Sequence, residues 1–357
     1  MNYDEKILRR NSGELAKKIR DLNYKKLQLI SLGNSIGTGF SLSDINLPLL
    51  ERDKILDEEM KKEEITLEKY RFARSENNSD EHIFNWILNN ISQSEVDKWN
   101  YRDYLNHISN GNELIKKDMI KDIYNGKNNI QIKDLLFNQE DNVSDIVIYN
   151  GATGSFLDNI TRKGKHKLTY GITKDLDYID AILGMIQNSN RKTNSTTQVY
   201  ICGAPKITNI PVSDFFINRK LKSIVYRYSN VSYVPNFHKK MIYNKDGKIV
   251  IDMHYDKEEY LLLISNIFKT INDNVVINNS IIKIDKKLSE LNENVEINLS
   301  KGNTTGYVLD LINKEATNQK DKILFLNKIR NYLLERYPYD FSSLDYETIK
   351  NLSKILK

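Results

Sequence analysis

Three residues in this chain have the types that proton-relay chemistry needs: Ser35, His254 and, two positions before the histidine, Asp252. A serine hydroxyl becomes a nucleophile when an imidazole takes its proton, and a carboxylate can orient that imidazole and favour its charged form. Ser35 lies in the stretch Leu29–Ser41, where an apolar run from Leu27 to Leu32 breaks into a loop of small residues, Gly33 to Gly39. A serine on a tight turn just past a buried strand is held at the sheet edge, within reach of a substrate. The flanking glycines remove Cβ atoms that would crowd a reacting group and permit backbone angles other residues avoid. A short helix after the loop would aim its free N–H groups back at the serine, where negative charge would develop. Gly-Asn-Ser is also an ordinary turn composition, and His254 is also consistent with a surface histidine near a helix start.

Other chemistries find less support. Cys202 is the one cysteine, so no internal disulfide forms, and its apolar run Val199–Gly203 implies a buried, inert thiol. His82, His107, His166, His238 and His254 are dispersed, with no zinc-ligand spacing, so neither metal nor cofactor is expected. Lys and Arg total 53 against 48 Asp and Glu, a net charge of +5 too mild and too spread out to argue for nucleic acid. No apolar run approaches the roughly 20 residues of a membrane helix, and Met1–Leu27 has no signal-peptide core. The expectation is a soluble, cytoplasmic protein.

The elements that must position these residues follow from periodicity. Residues 4–26 read as a short amphipathic helix and a polar approach to the first strand. Leu47–Tyr70 is highly charged and reads as a solvated helix or lid-like insertion. Ser79-Asp80-Glu81 starts a helix on which His82, Ile83, Trp86 and Ile87 recur at helical spacing, and polar helices continue over 91–140. Asp145–Asn150 is a second buried strand, running into Gly151-Ala152-Thr153-Gly154-Ser155. A helix over Leu176–Asn188, a strand over Gln198–Cys202, a helix over Phe215–Tyr226 and a strand over Val231–Val234 follow. Leu261–Ile271 is an apolar helix just after His254. Strands alternating with helices predict an α/β fold, a three-layer parallel sheet flanked by helices, with added helical regions. In such sheets ligands bind beyond the carboxyl ends of the strands, which would gather the loops at Ser35, Gly151 and Pro205 on one edge. The expected domains are an α/β domain over 1–275, with a helical insertion at about 45–140, and a mainly helical extension over 276–357 that offers a possible protein partner surface.

Together these pieces resemble the SGNH-hydrolase family, also called GDSL esterases and lipases, over roughly Leu27–Ile271. Leu32-Gly33-Asn34-Ser35-Ile36-Gly37-Thr38-Gly39 is similar to the family's nucleophile loop, with Asn34 where an aspartate is usual. Asp252-Met253-His254-Tyr255, followed by Tyr260, looks like its Asp/His block, and Val199–Pro205 fits its penultimate strand. The resemblance implies an SGNH/flavodoxin-like sheet and a serine esterase acting on a small-molecule or carbohydrate acyl ester, such as an O-acetyl group, by hydrolysis or transfer. It implies Ser35 as nucleophile, His254 as base and Asp252 as its orienting partner. Asn34, Glu76 or Asn77, Gly151 and Thr153 would surround the oxyanion and substrate. The sequence departs from the family in three places. Ile251 holds the position three before the histidine where the family has aspartate, so either Asp252 reaches round or the imidazole works with a backbone carbonyl. The loop Phe72–Ser79 lacks the usual glycine, and Thr153 replaces an asparagine donor. These departures suit an altered substrate, and equally a fold kept for binding a carbohydrate or protein partner without catalysis.

Overall fold

The apolar runs ending at residues 32, 150, 202 and 234 all become parallel strands of one sheet. The computed structural model describes residues 3–34, 47–74, 80–109, 129–137, 140–150, 168–207, 211–228, 230–240, 242–245, 248–251, 255 and 257–291. Its elements in chain order are α1 (Tyr3–Asp21), β1 (Lys26–Gly33), α2 (Leu47–Lys62), β2 (Thr66–Ala73), α3 (Asp80–Leu88), α4 (Gln93–Ser109), α5 (Ile132–Leu136), β3 (Val143–Asn150), α6 (Leu168–Lys192), β4 (Gln198–Cys202), β5 (Lys206–Ile207), α7 (Pro211–Val225), β6 (Val231–Val234), β7 (Lys239–Lys240), β8 (Ile242–Lys245), β9 (Lys248–Ile251) and α8 (Lys257–Leu291). The main sheet has the order β2-β1-β3-β4-β6, and every pairing in it is parallel. β8 and β9 form a separate antiparallel hairpin.

Alternate residues of each strand serve opposite cores, as the two-residue period of a strand requires. Ile30, Leu32, Phe72, Val147, Tyr149, Val199 and Ile201 face a layer built from α3, α4, α5, α6 and α7. Leu27, Leu29, Ile146, Ile148, Tyr200 and Val234 face α1, α2 and α8. The molecule is therefore a three-layer α/β fold with the sheet in the middle. Central strands buried on both faces explain why β3 and β4 read as nearly unbroken apolar runs.

Two expectations from the sequence change. The segment 45–140 is not wholly helical: Thr66–Ala73 is β2, paired with β1 along all eight residues. Its charges are those of an edge strand with matched partners: Lys69 pairs with Asp57, Arg71 with Asp53, and Lys26 of β1 with Glu68 at 3.0 Å. The outer edge of β2 is closed by side chains. Gln93 accepts from the Arg71 N–H through Oε1 (2.6 Å) and donates to the Arg71 carbonyl through Nε2 (2.8 Å), and Asn100 Nδ2 donates to the Ala73 carbonyl (2.8 Å). Amide side chains thus replace a neighbouring strand on an edge that would otherwise recruit one. Preceding it, α2 is no solvated lid: Ile55, Leu56 and Met60 are buried, as are Arg52 and Asp53. Burial pushes the Asp53 carboxyl up, but the guanidinium groups of Arg52 and Arg71 outweigh it and hold the group below the usual carboxylate range.

The second change concerns α8. The helix runs unbroken through positions 275 and 276, where the sequence suggests a division, and Ile277, Ile281 and Ile282 beyond that point are buried. Residues 276–291 thus pack with the sheet domain. Among the described residues, no helix is long and apolar enough to cross a membrane.

Candidate functional site

The carboxyl ends of β1, β2, β3, β4 and β6 lie along one edge, and there the sheet order reverses direction: β1 is followed in the chain by β2 on one side and then by β3 on the other. A crevice at such a switch point is where open parallel sheets bind ligands. The edge at this point is floored by backbone. Gly33 ends β1 beside Asn150, which ends β3. Gly33 has φ +146°, and a Cβ there would lie 2.8 Å from the Asn150 carbonyl carbon and 2.9 Å from its oxygen. Only glycine fits so close an approach. The Arg74 N–H donates to the Gly33 carbonyl (3.2 Å), tying the end of β2 to the same point.

Around this floor stand polar side chains from several elements. Asn34 is 3% exposed. Asp80, the first residue of α3, is fully buried and accepts a 2.6 Å hydrogen bond from the Tyr149 hydroxyl. Arg74 pairs with Asp103 (3.4 Å) and lies 5.5 Å over the Trp99 ring, which is tilted against Trp86 at 5.7 Å.

The far end of the edge is built from the turns after β4 and β6. Gly203 N–H donates to the Val234 carbonyl (2.9 Å), and Asn218 of α7 brackets Ala204 by accepting from its N–H (2.9 Å) and donating to its carbonyl (3.0 Å). Asn236 Nδ2 donates both to the Gly203 carbonyl (3.1 Å) and to the Tyr255 hydroxyl (3.0 Å). Tyr255 is fully buried, with its ring 4.6 Å from that of His238 and edge-on to Tyr260 at 6.3 Å. Burial pushes its phenol well above the ordinary tyrosine range, so it stays neutral. Cys202 is buried, and burial drives its thiol far upward, which makes it inert, as its apolar run suggests.

Of the residues singled out in the sequence, Asn34 is on this edge. Ser35, Glu76, Asn77, Gly151, Thr153, Asp252 and His254 lie outside the described residues. Their chain neighbours are described: Asn34 precedes Ser35, Asn150 precedes Gly151, Arg74 precedes the loop with Asn77, and Tyr255 follows His254. All four sit on the carboxyl edge, between the ends of β2 and β6. Ile251, in the place where the resembled family has aspartate, is the last residue of β9 and pairs with Ile242. The sequence did not single out Asn236, Asn218, Asp80 or Arg74 as site residues. Their partners lie 14 to 69 positions away, and no local pattern encodes those pairings.

Among the described residues no group of three or more His, Cys, Asp or Glu side chains could hold a metal ion. No known family, curated protein or solved structure matches this chain.

Proposed function

We propose that the carboxyl edge of the sheet is an ester-cleaving site in which Ser35 is the nucleophile and His254 the base. One observation supports this reading above others: the residue before Ser35 and the residue after His254 are both buried in the same sheet edge, Asn34 at the switch point and Tyr255 against the ends of β4 and β6. In the proposed reaction Ser35 Oγ attacks the carbonyl carbon as His254 takes its proton. The C–O bond to the leaving alcohol then breaks, and the imidazolium returns the proton to that alcohol. Water, deprotonated by the same histidine, hydrolyses the acyl-serine and completes the cycle; an acceptor alcohol in its place gives transfer. Asp252 orients the imidazole. The backbone N–H of Ser35, with the loop at Glu76 and Asn77, Gly151 and Thr153, receives the oxyanion. The substrate class is a short O-acyl ester on a small molecule or carbohydrate.

The test is covalent labelling with a fluorophosphonate alongside a panel of acetyl and longer-chain esters. Labelling that vanishes in Ser35→Ala, with hydrolysis lost in Ser35→Ala and His254→Ala, supports the proposal. Labelling that persists in Ser35→Ala overturns it. So does a folded native protein that neither labels nor hydrolyses any ester, which would leave the fold as a binding module.

A further inference from the structure

Of the three large apolar side chains exposed among the described residues, two, Phe237 (72% exposed) and Leu262 (54%), line the same groove. It encloses about 300 Å³ between α1, the turn after β6 and the first half of α8, with Ile7, Pro235 and Leu263 completing the apolar lining. That is the lower end of the range for small-molecule sites. Exposed apolar side chains that share one groove form a patch rather than scattered single residues, and such patches mark ligand or partner sites.

The rim charges are of one sign. Arg10 of α1 and Lys269 of α8 line the groove, and among the described residues no carboxylate does. Lys269 makes a loose, exposed 3.6 Å contact with Asp273 one turn on, a kind of pair that contributes little. The floor is fixed in advance. Asn11 Nδ2 of α1 donates to the Ser265 carbonyl of α8 (3.3 Å), Asn272 Nδ2 returns a bond to the Asn11 carbonyl (2.8 Å), and Asn266 Nδ2 donates to the Pro235 carbonyl. His238 closes the inner wall, buried and with its ring tilted against that of Tyr255. A groove with bonded walls, an apolar lining and two cations at its rim is complementary to a chain with one anionic end.

We propose that this groove binds one molecule of a single-chain anionic amphiphile, a medium-chain carboxylate, with its alkyl chain over Phe237 and Leu262 and its carboxylate drawn to Arg10 and Lys269. The groove adjoins the far end of the candidate edge through His238 and Tyr255, but binding in it needs no turnover to be tested.

The probe is dodecanoate, titrated calorimetrically into the full chain below its micelle concentration. Saturable 1:1 binding is expected. It should weaken about fourfold for each methylene removed while the chain still fills the groove, the factor that follows from about 0.8 kcal/mol per buried CH2. Leu262→Glu and Arg10→Glu should each weaken binding tenfold or more, with circular dichroism unchanged because both positions are on the surface. Dodecyltrimethylammonium should bind far more weakly than dodecanoate. Equal binding of the two amphiphiles overturns the proposal, as does affinity unchanged by Leu262→Glu. Sedimentation with anionic vesicles but no 1:1 binding of dodecanoate would overturn it in favour of a membrane-facing patch. A concentration-dependent dimer abolished by Leu262→Glu, again without dodecanoate binding, would overturn it in favour of a self-association face.

Discussion

Replacing Asp145 with asparagine should stabilise the protein at pH 8 and do little at pH 4. Asp145 is on β3, in a polar row that crosses one face of the sheet near its amino end: Glu68 on β2, Gln28 on β1, Asp145 on β3 and Thr197 just before β4, in register. Gln28 Nε2 donates to Glu68 (3.1 Å), and the Thr197 hydroxyl lies 3.4 Å from Asp145 Oδ2. Two buried acceptors in this row, Gln28 Oε1 and Asp145 Oδ1, have no hydrogen-bond partner among the described residues. A proton on Asp145 turns one of these acceptors into a donor. Burial is the main cause that raises this carboxyl, to about 7; Glu140 and Glu68 add to it, while Thr197 and Lys26 oppose it.

The sign follows from proton counting. Between pH 3.8, the ordinary value, and about 7, the folded chain holds a proton that the unfolded chain has released. Stability then falls as pH rises, by about 1.4 kcal/mol per pH unit, and levels off above the folded value. Across the whole window this amounts to about 4 kcal/mol, and from pH 5 to pH 8 to about 3 kcal/mol. The carboxamide of an Asp145→Asn variant has no proton to lose and keeps both a donor and an acceptor. Urea unfolding followed by tryptophan emission suits the measurement, because Trp86 and Trp99, the only tryptophans, pack in and against the core on the same side of the sheet. The stability difference between variant and parent should move by about 3 kcal/mol in the variant's favour from pH 5 to pH 8. Titrating groups that do not interact with Asp145, such as Asp97 (raised to about 6 by burial), cancel in that difference. Curves that run parallel within about 0.5 kcal/mol, or diverge the other way, would show that Asp145 is ionised in the folded protein and refute the reasoning.

Gly33→Ala should lower stability by at least about 2 kcal/mol, because the new methyl meets the Asn150 backbone at a φ that side chains avoid. A thermal midpoint within a degree of the parent would contradict this. Tyr255→Phe removes one of the two acceptors of Asn236 and should cost about 1 kcal/mol, whereas Asn236→Ala strips the donor from both the Gly203 carbonyl and the Tyr255 hydroxyl and should cost more. Thermal denaturation of the two variants gives the order, and the reverse order would mean that Asn236 is not the clamp between the β4 turn and Tyr255.

β4 and β6 are legible in the sequence to the residue, because short apolar runs closed by Gly203 and Pro235 leave little choice. β2 is not, because Glu68, Lys69 and Arg71 look like a solvated run until their partners on β1 and α2 are known. The end of α8 is hidden for a similar reason. Asn272, Asn274, Asn278 and Asn279 read as a polar break, yet all four are buried. Asn272 bonds back to α1, Asn278 Nδ2 donates to the Ser232 hydroxyl (2.9 Å), and Asn279 accepts from Tyr24 (2.6 Å). Local pattern cannot tell an asparagine that faces water from one that finds a hydrogen-bond partner 46 or 255 residues away. The site divides in the same way: the glycine-rich strand ends mark the edge, while the polar contacts that shape it, such as Asp80 with Tyr149, come from distant pairs.

The location of the switch point follows from the handedness of the chain. A crossover between parallel strands is right-handed, so the direction in which the chain moves across the sheet decides which face its helix covers. From β1 the chain moves outward to β2, and α2 lies on the face with Leu27 and Leu29. From β2 it crosses back over β1 to β3 and then onward to β4 and β6, and α3 to α7 all lie on the opposite face, with Ile30 and Leu32. The helices that follow β1 and β3 therefore cover opposite faces, and the two strands end side by side at Gly33 and Asn150, whose backbones approach closely. A strand end that must turn away beside its neighbour, with no room for a side chain, requires glycine at that position. The close backbone approach that requires glycine and the switch point where such sheets admit ligands are two consequences of one strand order, β2-β1-β3.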